Sequence, residues 1–204
     1  MTKMFMRKFI GLSASLLVLF GCQQPAPTQA PAEKAAAAPA APAQSPVERG
    51  KYLTTVGGCN DCHTPKKMGP NGPEADMTRE LSGNPSTEKV APVPAKLFEK
   101  GWLTLANNHL GAWAGPWGVS FAMNLTPDKE TGLGSWTPEM FMGALRTGKH
   151  QGTGRPILPP MPWNWYRNMT DDDLKAIFAY LQSLPPIKNP IPDPLPPDKI
   201  PTAK

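Results

Sequence analysis

Apolar residues recur at helical spacing in three places along the chain, and each stretch carries its own start signal. The clearest stripe is Leu174, Ile177, Phe178 and Leu181, at i, i+3, i+4 and i+7, the period of a helix with one buried side. It opens at Thr170-Asp171-Asp172-Asp173 and is stopped by Pro185-Pro186. A second stripe, Met140, Phe141, Ala144 and Leu145, follows Trp136-Thr137-Pro138-Glu139, where threonine caps, proline takes the first helical position and an acid sits in the first turn; Gly148 is its stop. The third begins at Ser45-Pro46-Val47-Glu48, a capping-box pattern. It predicts a helix through about Val56 with Val47, Tyr52, Leu53 and Val56 on the buried side. Gly50 leaves room for another helix to approach closely, and Gly57-Gly58 ends the element. Between these helices the pattern is irregular: 64–100 reads as loop with a short helical piece near 94–100, and no alternating strand pattern or internal repeat stands out. The expected class is all-α.

Two further stretches depart from globular patterning. An apolar run from Phe9 to Phe20 follows the basic residues Lys3, Arg7 and Lys8. It is too short to span a bilayer comfortably and reads as a secretory signal over 1–21. From 22 to 44 the chain is mostly Ala, Pro and Gln, too poor in large apolar side chains to offset the entropy of ordering, and reads as a tether. The 27 prolines crowd there and again in 185–204, a tail expected to be extended or disordered and to lie over the surface of the domain. What remains, 45–184, is one domain of about 140 residues, enough to enclose a sizeable ligand. The formal net charge is +5, but three of the basic residues lie in the leader, so the balance does not point to nucleic acid.

The chemistry is concentrated in Cys59-Asn60-Asp61-Cys62-His63. Two cysteines two residues apart with histidine directly after the second form the signature for covalent attachment of a c-type haem. Two thiols reach two vinyl groups of one porphyrin, and the next side chain reaches the iron. A zinc half-site would want a second cysteine pair, and a redox dithiol would want a βαβ setting; neither is visible here. His63 is then an axial ligand, with its other ring nitrogen donating to a backbone carbonyl, for which the loop holding Pro65, Pro70 and Pro73 offers candidates. The sixth position decides between a closed, electron-transferring iron and an open one that binds small molecules. Met140 and Met142 read as helix core, and Met68 and Met77 sit too near the motif, leaving Met123, Met161 and Met169. Met161 is favoured because Pro160 and Pro162 hold its backbone extended and stiff; His150 and His109 are the rivals. Trp102, Trp113 and Trp117 suit either a wall for a flat ligand or plain core. Arg146, Lys149 and Arg155, or the indole of Trp136 or Trp163, are candidates for the haem propionates.

Two resemblances sharpen this. Leu19-Phe20-Gly21-Cys22 resembles the lipobox of bacterial lipoproteins, which implies an acylated Cys22 and a membrane-anchored mature chain; Gln23 by the same resemblance is compatible with outer-membrane sorting. Simple cleavage with a stray thiol at Cys22 is the alternative. The second resemblance is carried by Gly50-Lys51-Tyr52-Leu53 before the haem motif, Asn124-Leu125-Thr126-Pro127-Asp128, Thr131-Gly132-Leu133-Gly134-Ser135-Trp136, Pro160-Met161-Pro162-Trp163 and Ala179-Tyr180-Leu181. These are similar to class I cytochromes c, and most similar to the cytochrome subunits of membrane-bound alcohol and gluconate dehydrogenases. The resemblance implies N- and C-terminal helices crossing over a haem crevice and Met161 as the sixth ligand. It also implies one covalent haem c in an electron carrier rather than an enzyme, held on the periplasmic side of a bacterial membrane. Its partners would be redox proteins, a dehydrogenase or reductase donor and an oxidase acceptor. The alternative is a haem subunit or catalytic haem protein with an open or displaceable sixth site. Those dehydrogenase subunits commonly string several haem domains together, whereas this chain has a single motif.

Overall fold

The three capped stretches fold as helices. A computed structural model describes residues 44–94 and 96–203. In it α1 (Pro46–Val56) starts from a reciprocal box, with Glu48 N–H donating to Ser45 Oγ at 3.2 Å and Ser45 N–H to Glu48 Oε2 at 2.9 Å. After α2 (Cys59–His63), α3 (Pro138–Thr147) is capped by Thr137 and ended by Gly148 in the left-handed region. A short α4 (Trp163–Tyr166) precedes α5 (Asp171–Ser183), which Thr170 caps. Helices α1 and α5 pack on each other, and α3 packs on α5. The main core, including Leu53, Leu133, Phe141, Leu145, Leu174, Ile177, Phe178 and Leu181, forms among them.

The buried side of α1 differs from the expected one. It is Gly50, Leu53 and Thr54, while Val47, Tyr52 and Val56 are 40, 53 and 61 % exposed. Glycine sets this face: a Cβ on Gly50 would lie 1.9 Å from the carbonyl oxygen of Ala176, so α1 turns its smallest residue toward α5 and the larger neighbours rotate outward.

The all-α expectation is overturned. Strands β1 (Lys66–Gly69) and β2 (Gly72–Ala75) pair antiparallel across a two-residue turn. Strands β3 (Leu105–Ala106), β4 (Ala112–Gly115) and β5 (Gly118–Phe121) form a second antiparallel sheet in that order. Each strand is only two to four residues long, too short to show alternation, and Asn71-Gly72 is the one hairpin signal in the sequence here. Near 94–100 the helical piece among the described residues is a 3-10 turn, Phe98–Lys100.

The tail is built into the domain. Leu195 exchanges backbone hydrogen bonds with Val119 at 2.8 and 2.9 Å, covering the free edge of β5, and Val93 does the same with Pro201 and Ala203 at 2.7 and 2.9 Å. Ala112, Ala114, Val119 and Val93 form a second buried cluster there. Buried Asn189 donates to the carbonyls of Ser82 and Asn84 at 2.7 and 2.9 Å and accepts from Ser86 N–H at 2.9 Å. Proline richness in this segment removes donors, yet the amides of Leu195 and Ala203 are used for pairing, and those of Ile187 and Asn189 donate to Thr126 Oγ1 and Thr131 Oγ1 at 3.1 and 3.0 Å. Among the described residues no helix is long and apolar enough to cross a membrane; the leader, Cys22 and the tether up to residue 43 lie outside them.

Candidate functional site

Helix α1 stops where Gly57 N–H reaches back to Leu53 O at 2.8 Å, and Gly58, at φ +68°, turns the chain into α2. A left-handed residue directly before Cys59 is what glycine permits at little steric expense. Within α2 the thiols of Cys59 and Cys62 stand at i and i+3 and His63 at i+4, so all three side chains are helical neighbours. Lys66 clamps the end of this helix, its Nζ donating to the carbonyls of Asn60 and Thr64 at 2.9 and 2.8 Å. Its ammonium stabilises the negative end of the helix dipole.

His63 is buried, and its Nδ1 lies 2.7 Å from the carbonyl oxygen of Met123. Burial pushes its pKa down, only partly offset by that carbonyl. The ring is therefore neutral at neutral pH; Nδ1 carries the proton it donates, and Nε2 keeps the lone pair. The carbonyl comes from Met123, 60 residues away, and not from the Pro65–Pro73 loop; Pro65 O instead accepts from Asp76 N–H at 2.8 Å. A backbone carbonyl has no residue-type signature, so the sequence held no signal for this partner.

Cys59, Cys62 and His63 line a cavity of about 420 Å³ whose other walls are largely apolar, among them Leu53, Phe141, Leu145, Ile177, Leu181 and Phe121. That volume falls within the roughly 300–1,000 Å³ of cofactor sites. Met161 lines the same cavity, as do Met123, Met169 and His150. His109 does not: its Nδ1 accepts from Lys66 N–H at 3.1 Å, and its Nε2 faces Glu88 Oε2 at 3.8 Å. Of the tryptophans, Trp113 and Trp136 line the cavity, with Trp136 edge-on to His150 at 5.0 Å between ring centroids. Trp102 is 62 % exposed, and Trp117 packs over Gly115. Arg155 borders the cavity, whereas Arg146 is tied to Arg167 O and to Asp171 Oδ1, the latter at 2.6 Å. Lys149 and Trp163 are not among the lining residues.

Two contributors carry no motif. Tyr166 lines the cavity and donates its hydroxyl to Gly57 O at 2.5 Å, joining α4 to the entrance of α2. Ser120, on β5, donates to Pro159 O at 2.5 Å and so fixes the segment that leads into Met161.

The arrangement fits a haem. A neutral imidazole with a fixed tautomer, a thioether and an apolar enclosure are the donor set and surroundings of a His/Met-ligated iron. Burial pushes the Cys59 thiol up to about 11 and raises that of Cys62. Such thiols are poor thiolates at neutral pH, which counts against a redox dithiol. Among the described residues no group of three His, Cys, Asp or Glu side chains is placed to hold a metal ion, so the cysteine pair has no zinc co-ligands there.

Comparison with known proteins agrees with the motif reading. The chain is 39 % identical over 77 residues to a nicotinate dehydrogenase subunit of Pseudomonas putida, covering 38 % of this chain and 6 % of that one. It is 29 % identical over 192 residues to the fructose dehydrogenase cytochrome subunit of Gluconobacter japonicus, covering 92 % of this chain and 31 % of the relative. It is 30 % identical over 134 residues to the gluconate 2-dehydrogenase cytochrome c subunit of Pantoea cypripedii, covering 66 % and 22 %. No protein-family model matches the chain. The chain is thus a homologue, at modest identity over much of its length, of proteins named as cytochrome c subunits of fructose, gluconate and alcohol dehydrogenases. The resemblance to the cytochrome subunits of alcohol and gluconate dehydrogenases is borne out. It spans less than a third of the length of each of these relatives.

Proposed function

We propose that this chain is an electron-transfer protein carrying one haem c, attached through Cys59 and Cys62 and ligated by His63 and Met161. The observation that carries the reading is the gathering of both thiols, the tautomer-fixed His63 and Met161 around one largely apolar cavity. When bound, the haem supplies one-electron cycling between ferric and ferrous iron. His63 offers Nε2 and Met161 its sulfur, while Leu53, Phe141, Ile177 and Leu181 keep water away. Of the propionate candidates, Arg155 and Trp136 stand at the cavity, and Arg155 is the charged one of the two. The names of the relatives support a haem protein that passes electrons for a dehydrogenase; an oxidase is proposed in addition as the acceptor. The leader and Cys22 support export and lipid anchoring on the periplasmic side of a bacterial membrane, the outer membrane included.

The test uses the full chain made with haem-attachment machinery. Haem stain is expected to stay with the polypeptide through denaturing electrophoresis and to be lost in the Cys59→Ala, Cys62→Ala double variant. Ferrous protein is expected to bind carbon monoxide slowly at neutral pH. A chain that retains no haem defeats the reading, and rapid carbon monoxide binding would favour a haem protein with a displaceable sixth position, for which His150, Met123 and Met169 beside Met161 provide material.

A further inference from the structure

Residues 81–84 are stitched between the cysteine-histidine helix and the chain leaving β5. Leu81 N–H donates to Thr64 Oγ1 at 2.9 Å, Gly83 N–H to His63 O at 2.7 Å, and Asn84 N–H to Ala122 O at 3.0 Å. Leu125 N–H returns a bond to Leu81 O at 2.8 Å. Gly83 sits at φ +84°, and a Cβ there would lie 2.6 Å from Ala122 O, 2.7 Å from Met123 C and 2.8 Å from Asn124 N. All three are backbone atoms, with no rotamer to swing clear. The Met123 peptide therefore rests directly on the bare Cα of Gly83, and it is the carbonyl of this peptide that accepts from His63 Nδ1 at 2.7 Å.

We propose that Gly83 is a positioning residue for His63. Its N–H fixes the histidine's own carbonyl, and its missing side chain lets the Met123 carbonyl come within hydrogen-bond reach of the ring. This rests on the reading of His63 as an axial ligand. A strong Nδ1–H···O bond raises the basicity of Nε2. A methyl group at 83 must push the Met123 peptide away, adding left-handed strain of its own. A weaker imidazole donor stabilises ferric iron less, so the midpoint potential moves up.

The experiment is Gly83→Ala in the full, haem-loaded chain, reading the midpoint potential and, by proton magnetic resonance of the ferrous protein, the solvent exchange of the His63 Nδ1 proton. The expected result is a raised potential with that proton exchanging about five- to tenfold faster, the measure of one weakened hydrogen bond. Leu174→Ala is the comparison: Leu174 is fully buried but does not line the cavity, so it lowers stability and leaves both readings in place. Should Gly83→Ala fail to accumulate, Thr64→Val loosens the same stitch by removing the acceptor of Leu81 N–H, and a smaller change in the same direction is expected. A haem-loaded parent whose Gly83 or Thr64 variant matches Leu174→Ala in both readings overturns the Gly83 proposal alone; a parent without haem overturns the ligand reading beneath it.

Discussion

Met161→Ala is expected to turn a protein that binds carbon monoxide slowly into one that binds it fast, and to lower the midpoint potential. In the proposed His63/Met161 ligation the thioether is a neutral, soft donor that favours ferrous iron, so its removal would shift the balance toward ferric and leave a coordination position free. Met161 is presented by a short segment with little freedom. Pro160 and Pro162 flank it, and the hydroxyl of Ser120 on β5 holds Pro159 O at 2.5 Å. Met123 is less suited, because its carbonyl is already committed to His63 Nδ1 and its side chain leaves from the same backbone unit. Met169 sits one residue before the cap of α5, where moving it would disturb the helix start. Replacing Met123 or Met169 with leucine is accordingly expected to leave carbon monoxide binding slow. Ser120→Ala should fall between, with binding about fivefold faster, since it removes one hydrogen bond and no ligand. Stopped-flow mixing of the ferrous variants with carbon monoxide gives the order. Unchanged rates in Met161→Ala together with fast binding in Met169→Leu or His150→Ala would move the sixth ligand to that residue.

What could be read in the sequence, and what could not, follows from how local each feature is. Caps are local: Ser45 with Glu48, Thr137 with Pro138 and Thr170 before three aspartates each announce a helix within a few residues, and each helix forms where its cap stands. The attachment motif is local as well, and the cavity gathers its three residues with Met161. The sheets are not. Strands β3 to β5 run through Leu105–Phe121 with glycine at the β4–β5 corner, and their stability comes from pairing and from Leu195, far beyond Val119 in the chain, an association no window of sequence contains. The same holds for the Met123 carbonyl behind His63 and the Tyr166 hydroxyl on Gly57. Tyr52 and Val56 face outward for a different reason. Apolar periodicity weights large side chains, whereas the face of α1 is chosen by Gly50, which contributes almost nothing to such a pattern and everything to how closely α5 can approach.

That choice of face makes Gly50→Ala the substitution expected to damage stability most for its size. In an exposed helix the change would gain up to about 1 kcal/mol. Here the new Cβ meets Ala176 O at 1.9 Å, Ala176 C at 2.5 Å and Tyr180 Cβ at 2.8 Å. These atoms belong to the backbone and first carbons of α5, so the helices must separate. Overpacking of this kind typically costs about 1–3 kcal/mol and occasionally more, and with no flexible neighbour to yield, about 3 kcal/mol net is expected. In a chain of this length each kcal/mol moves the melting midpoint by roughly 2–4 °C, so a drop on the order of 10 °C should appear in thermal unfolding. Separation would also loosen the site, because Leu53, one turn beyond Gly50, and Ile177 and Leu181 on α5 line the cavity, and because the Arg49–Asp173 contact at 3.0 Å spans the same two helices. Thr55→Ala, on the exposed side of α1, is the comparison, since it raises helix propensity at a position that faces solvent. If Gly50→Ala melts no lower than Thr55→Ala, the close α1–α5 contact is not what holds this side of the cavity together.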